Sequence, residues 1–165
     1  MLNKTLTIAA IFVASSALAE DVPITGNVQS KCSIHTTTQG VFGTPTINKL
    51  STKGTDGGVN PILRVDTSQA GYYIAKITTP DSFTTSPSLN DSVAWTGDVN
   101  VSQVSDVAMA NYDADKVIYN NTHEYDLVAA GSTWFEVEAT AEYGVDKSLP
   151  GGEYVAMVTA ECIAK

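Results

Sequence analysis

The stretch from Thr133 to Ala141 alternates between apolar and polar positions more cleanly than any other part of the chain. The odd-numbered positions hold the apolar residues Phe135, Val137, Ala139 and Ala141. The even-numbered positions between them hold Trp134, Glu136, Glu138 and Thr140. A period of two is typical of a β-strand that buries one of its faces. We therefore expect a half-buried strand here, with the apolar set facing inward.

Short segments rich in Thr, Val, Ile and Tyr follow one another along most of the chain, separated by Gly, Pro, Asn, Asp and Ser. They predict further strands near 41–47, 61–66, 72–79, 92–95, 99–107, 116–119, 124–128 and 153–163, a turn at 54–60 and a long loop at 79–90. No segment carries a convincing helical pattern. Many short strands divided by frequent turns predict an all-β fold, an antiparallel β-sandwich.

The first nineteen residues have the features of a secretory signal peptide. Lys4 supplies the positive start, an apolar run extends from Leu6 to Ala14, and Ala17-Leu18-Ala19 matches the small-residue cleavage pattern ahead of Glu20. The apolar run is shorter than the roughly 20 residues that a membrane-spanning helix needs. We therefore expect an exported protein that is not inserted in a membrane.

The chain of 165 residues has room for one ordinary domain once the signal peptide at 1–19 is set aside. We predict an N-terminal extension at 20–27, followed by a single β-sandwich domain at 28–165.

The two cysteines predict one disulfide bond. Cys32 and Cys162 are the only thiols in the chain, and an oxidising compartment outside the cytoplasm joins such a pair. Cys32 alternates in step with Ile34, so it should face inward with the apolar residues, whereas the last segment, which holds Cys162, carries apolar residues on both faces. The bond would join the first strand to the last.

The charge balance excludes two classes of partner. The chain has 9 Lys and Arg residues against 18 Asp and Glu, a formal net charge of −9, and Arg64 is its only arginine. Phosphate backbones and anionic membranes bind clustered basic residues, which this chain lacks. Nucleic acid is therefore not an expected partner, and neither is an anionic membrane surface.

The sequence carries no recognisable catalytic motif. It has no G-x-S-x-G elbow, no P-loop and no H-E-x-x-H pair, and His35 and His123 are its only imidazoles. His123 follows the turn at 120–122, so we expect it at the surface. We predict a protein that is not an enzyme, with no catalytic residues, no cofactor and no metal site.

Two weaker patterns leave a binding function open. Oxygen-bearing side chains that Ca²⁺ could use occur close together at Asp98, Asn100, Asp106, Asn111, Asp113 and Asp115, but without the loop spacing of a calcium motif. Trp95 and Trp134 could stack on a sugar ring, although such residues are as often packed under a loop or a second sheet.

Both ends of the predicted mature chain resemble a known family. The segments Ile24-Thr-Gly-Asn-Val-Gln-Ser-Lys-Cys-Ser-Ile, Val41-Phe-Gly-Thr and Leu149-Pro-Gly-Gly-Glu-Tyr-Val-Ala-Met-Val-Thr are similar to the subunits of bacterial chaperone–usher fimbriae. Those subunits begin with a short alternating segment, reach a cysteine in the first strand, show Phe-Gly soon after and end on a Gly-x-Tyr strand.

The resemblance implies an immunoglobulin-like sandwich that lacks its last strand and is completed by the N-terminal extension of the next subunit. Val22, Ile24 and Val28 would be the inserted side chains, Cys32 the structural cysteine and Tyr154 part of the closing strand. The implied partners are copies of the chain or related subunits, together with a periplasmic chaperone. The implied location is the periplasm in transit and then the cell surface or the medium.

The sequence departs from the family pattern in two places. The second cysteine comes only at Cys162, whereas the commonest fimbrial subunits have it in the next strand. The segment before Gly26 is short, and Pro23 within it removes one ladder hydrogen bond. Two alternatives stay open: a variant fimbrial subunit, or a closed monomeric β-sandwich that binds a glycan or Ca²⁺.

Overall fold

The computed structural model describes residues 25–27, 29–144 and 147–165, which form an all-β sandwich of two antiparallel sheets. The strands in these ranges are β1 (Cys32–Thr38), β2 (Gly43–Thr46), β3 (Lys49–Ser51), β4 (Ile62–Thr67), β5 (Tyr73–Thr78), β6 (Val93–Val104), β7 (Val117–Tyr119), β8 (Thr122–Leu127), β9 (Gly131–Tyr143) and β10 (Thr159–Ala164). A single turn of α-helix, α1 (Tyr112–Asp115), lies between β6 and β7, and short 3₁₀ turns occupy Gly54–Asp56 and Val107–Met109. The predicted fold class is confirmed.

The first sheet is built around β9. One side of this 13-residue strand pairs with β6, and its other side pairs first with β4 and then with β3. β1 extends the sheet beyond β4, and β2 extends it beyond β3. The second sheet has the order β10-β5-β8-β7. β1 and β10 therefore each pair on one side only, and they lie at the side of the sandwich where the two sheets are joined by a disulfide bond.

The alternation in β9 is confirmed residue by residue. Every second residue from Thr133 to Tyr143 is buried, and Phe135 and Val137 are fully buried. Phe135 lies against Tyr125 of the second sheet, with ring centroids 4.6 Å apart. The core of the sandwich is formed where these two inner faces meet.

Most of the predicted strands are present, but β6 was expected as two. Gly97 and Asp98 resemble a turn in the sequence, yet the strand continues through them because β9 offers a partner along the whole length. Gly97 is required by packing: a Cβ at this position would lie 2.6 Å from the side chain of Thr79. β3 was not predicted as a separate strand, and the expected strand at 41–47 covers only β2.

The last strand begins later than predicted. The sequence pattern gives a strand over 153–163, whereas β10 starts at Thr159. Its partner β5 ends at Thr78, which pairs with Thr159, and Pro80 has no amide hydrogen to continue the ladder. The residues before Thr159 therefore have no partner strand in the second sheet, and Tyr154 lies outside the strand in which it was expected.

The predicted bond between Cys32 and Cys162 is present and joins β1 to β10. Both cysteines are partly buried against the core. Three other predictions lie outside the described residues, namely the signal peptide at 1–19, the side chains of Val22 and Ile24, and that of Val28.

Substitutions on the two faces of β9 should differ in their effect on the free energy of unfolding, because one face is buried and the other is more exposed. Phe135→Ala should lower the free energy of unfolding by about 3–5 kcal/mol, because it leaves a cavity beside Tyr125. Glu142→Ala, on the exposed face of the same strand, should change it by less than about 0.5 kcal/mol. Urea unfolding followed by circular dichroism measures both, and equal losses would contradict the assigned faces.

Removal of the disulfide should destabilise the domain strongly. The bond spans 130 residues, and loops of that length correspond to a stabilisation on the order of 5 kcal/mol in the chain-entropy model. We expect the Cys32→Ser, Cys162→Ser double variant to lose about 2–5 kcal/mol in urea unfolding. Reduction of the wild-type chain should give a matching loss, and unchanged midpoints would show that the bond contributes nothing.

Candidate interaction cleft

A two-chambered cleft opens on the side of the sandwich where β1 and β10 are the sheet edges. The outer chamber has a volume of about 700 Å³ and lies between residues 40–50 and residues 148–156. The inner chamber, of about 390 Å³, lies between the end of β1 and residues 155–158, and Leu63 and Ala139 contribute to its lining. Four residues line both chambers, which makes them neighbours: Gly40, Phe42, Val155 and Ala156.

The wall formed by residues 151–158 has few backbone hydrogen bonds. Within the described chain, Val155 is the one residue of this segment whose amide and carbonyl bond to other backbone groups, those of Thr84 and Thr85. Leu149, just before it, donates its amide to the Ile47 carbonyl at 2.8 Å. Unpaired N–H and C=O groups along an extended segment are a template for an added strand. We call residues 151–158 the unpaired wall.

A cluster of aromatic side chains lies beside the cleft and contributes Phe42 and Tyr154 to its lining. The ring of Phe83 lies 4.7 Å from that of Trp95 and 5.1 Å from that of Tyr154, and Phe42 lies 6.2 Å from Phe83. The Tyr154 hydroxyl donates a hydrogen bond to the Pro150 carbonyl at 2.7 Å. Phe42 and Tyr154 thus come together from the two ends of the chain that carry the family resemblance. Phe83, in the loop predicted at 79–90, was missed because nothing in the sequence pairs it with them.

Residues 30 and 31, which precede β1, lie at the disulfide end of the domain. The Ser30 hydroxyl lies 2.9 Å from the Tyr73 hydroxyl. The amide of Lys31 donates to the Ser68 hydroxyl at 2.8 Å, and the amide of Ser68 donates back to the Lys31 carbonyl at 3.0 Å. These bonds hold the chain beside Cys32, at the start of β1, whereas the inner chamber lies beyond the middle of that strand.

The two tryptophans have different surroundings. Trp95 belongs to the aromatic cluster, where its ring packs against Phe83 and Phe42. Trp134 is partly exposed on the outer face of the first sheet, opposite Arg64 of β4. They lie on opposite faces of the sheet, so a single flat sugar ring cannot contact both of them.

A lysine lies among the oxygen atoms that the sequence offers for calcium. Lys116 Nζ donates to Val99 O at 2.6 Å, Asn100 Oδ1 at 3.0 Å and Asp98 Oδ1 at 3.2 Å. Burial by itself would raise the pKa of Asp98, but hydrogen bonds from Asn100, Lys116 and the Val99 amide outweigh it and lower that pKa. An ammonium group thus takes the place that a cation would need.

Other carboxylates of this region bond to the backbone. Asp113 accepts the Val101 amide through both oxygens, at 2.9 and 3.0 Å, and Asp106 accepts the Ala108 amide at 2.8 Å. Over the described ranges, no group of three or more His, Cys, Asp or Glu side chains has an arrangement that could hold a metal ion.

His123 is buried, and its expected place at the surface was wrong. Only 2% of the residue is exposed, because β8 turns its side chain into the sandwich next to β6. Its Nε2 lies 3.3 Å from Asp98 Oδ1, and its Nδ1 has no hydrogen-bond partner among the described atoms. Burial lowers the pKa of His123, and the nearby Asp98 carboxylate offsets this in part. His35, on β1, is more exposed and lies 3.6 Å from Asp66.

The buried imidazole should make stability depend on pH. The pKa of His123 in the folded chain lies below its usual value of 6.5. As the pH falls, the unfolded chain therefore binds a proton at His123 at a higher pH than the folded chain does. The free energy of unfolding should therefore fall as the pH drops through about 6.5. Asp98 and Lys116 also face this imidazole, and the lowered pKa of Asp98 acts in a lower pH range.

Substitution tests this assignment. His123→Gln should flatten the slope of unfolding free energy between about pH 7 and pH 5.5, measured by urea unfolding at several pH values. His35→Gln is the matched control and should leave the slope in place. An unchanged slope in the His123 variant would contradict the assignment.

In the part of the chain that the structure describes, no helix has the length and apolar character needed to cross a membrane. Comparisons of the chain with protein-family models, with curated proteins and with solved structures give no significant match.

Proposed function

We propose that the chain is a non-catalytic structural subunit of a bacterial surface fimbria and that it polymerises by β-strand complementation. The observation that carries this proposal is the unpaired wall at 151–158, which runs along an open cleft next to the edge strand β10. A strand added there would pair with free backbone groups and place alternate side chains in the two chambers.

The strand order supports an incomplete immunoglobulin-like sandwich. In the constant-type fold, one sheet has the order A-B-E-D, and the other contains C, F and G. Here β1-β4-β9-β6 has the order of the first, and β5 and β10 are neighbours like C and F. A strand corresponding to G would lie on the side of the cleft, beside the segment that leads into β10.

The lining of the cleft favours an apolar strand. Phe42 and Val155 stand where the chambers meet, and Leu63 and Ala139 line the inner chamber. Burial of one Val or Ile side chain in such surroundings contributes about 1.5–3 kcal/mol. Two or three such side chains, together with new backbone hydrogen bonds, would offset the cost of ordering the donor and joining two chains.

The N-terminal extension of another copy has the required pattern. Val22, Ile24 and Val28 share one parity, so a strand over this segment presents them on one face. Ser30 and Lys31 are held at the disulfide end of the domain, and we propose that the extension before them reaches the cleft of a neighbouring copy. We propose that the signal peptide at 1–19 directs export and that a periplasmic chaperone then covers the cleft. The polymer would form at the cell surface.

Three variants of the mature protein test this function. Deletion of residues 20–25 should abolish polymers, because it removes the donor strand. Ile24→Asp should do the same, since it places a charge in an apolar chamber. Thr25→Asp is the matched control: its side chain has the opposite parity, so polymers should persist. Size-exclusion chromatography, negative-stain microscopy and gels run in cold SDS measure the association state.

Polymers that survive the deletion would overturn the proposal. A wild-type protein recovered from the cell surface as a monodisperse monomer would also overturn it, and would favour a closed secreted module that binds a glycan or Ca²⁺. Retention on a polysaccharide column that is lost in Trp134→Ala, or a melting temperature raised by calcium, would then identify the ligand.

A further inference from the structure

We infer that the Cys32–Cys162 bond is an end-stop for the donor strand: it closes one end of the cleft and limits how far the tip of the donor can enter. This inference rests on the proposed function and names the partner more closely. The partner is a short strand, residues 20–25 of a second copy. Residues added before Glu20 should weaken its binding, whereas residues added after Thr25 should not.

The spacing at the bond leaves no room for a third strand. The Cα atoms of Cys32 and Cys162 are 6.1 Å apart. Neighbouring strands in a sheet are about 4.8 Å apart, so two strands that flank an inserted strand must be separated by about 9.6 Å. β1 and β10 are thus already neighbours at the bond, and a donor cannot pass between them there.

The cleft opens only at a distance from the bond. Thr36 on β1 and Val158 before β10 line the inner chamber, and each is four positions from the cysteine of its own segment. Val155 and Phe42 come next, followed by Ile47 and Leu149 at the far end of the outer chamber. The disulfide therefore closes the cleft beyond the inner chamber, whereas the outer chamber reaches Ile47, which is 73% exposed and accepts the Leu149 amide at 2.8 Å.

The chain direction determines which end of the donor meets the bond. Ser30 and Lys31 are held at the disulfide end of their own domain. Neighbouring strands of this sandwich are antiparallel, so a donor beside the unpaired wall runs opposite to it and its tip at Glu20 points toward the bond. It then runs parallel to β1 and antiparallel to the unpaired wall, and head-to-tail contacts of this kind repeat without closing.

The length of the extension agrees with a cleft closed at one end. Only residues 20–25 precede Gly26 after the predicted cleavage, which is about 20 Å in extended conformation. The position of the second cysteine and the short donor are the two departures from the fimbrial pattern. They fit together, because a short donor suits a cleft whose depth the bond limits.

Peptide binding to the full mature chain tests the end-stop. The acceptor carries Val22→Asp and Ile24→Asp, so that it cannot act as a donor. Three fluorescent peptides are compared by anisotropy: residues 20–28, the same peptide with Ser-Gly-Ser added before Glu20, and the same peptide with Ser-Gly-Ser added after Val28. We expect the N-terminal addition to weaken binding roughly tenfold, and the C-terminal addition to leave it unchanged.

The Cys32→Ser, Cys162→Ser acceptor provides the second comparison, in which the penalty for the N-terminal addition should disappear. Should this acceptor not fold, the three peptides on the disulfide-bonded acceptor decide the question by themselves. Equal binding of all three peptides to that acceptor would overturn the end-stop and leave the proposed function standing. Failure of every peptide to bind would overturn both.

Discussion

The pairing of β9 along both of its edges is the constraint on which the rest of the structure depends. One edge is used by β6 and the other is shared by β4 and β3, so three strands are fixed in register by a single segment. The opposite situation holds at β10, which pairs with β5 alone and is preceded by a segment with few backbone hydrogen bonds. Strand pairing is extensive at the centre of the molecule, whereas few backbone groups of the described residues before β10 are paired. The proposed function rests on that contrast.

Much of the fold could be predicted because it rests on local patterns. The alternation around Phe135 predicts the buried face of β9, and the only two cysteines of the chain predict one bond between the first and the last strand. Errors arose where tertiary partners override local signals. Gly97 looks like a turn residue but lies inside β6, because β9 pairs with that strand on both sides of it. His123 follows a polar turn yet is buried, because the register of β8 turns it inward.

Less of the candidate site could be predicted. The sequence indicated Tyr154 and the segment around Phe42, and the structure brings these residues together through Phe83, which no pattern connects with them. The late start of β10 creates the unpaired wall, and it depends on where the partner strand β5 ends. The bond at Cys162 was predicted, but its spacing of 6.1 Å to Cys32, which leaves no place for another strand, is a property of the fold alone.

Hydrogen exchange at the unpaired wall is the most direct test of strand addition. The mature protein carrying Val22→Asp and Ile24→Asp, which cannot act as a donor, would be compared with and without a saturating peptide of residues 20–28, and exchange followed at the backbone amides between Gly151 and Val158. Strand addition predicts fast exchange in the free protein, because most of these amides have no backbone partner. It predicts strong protection of alternate amides in the complex, where they would bond to the added strand. Unchanged exchange in this segment at saturation would show that the cleft beside β10 does not accept a strand.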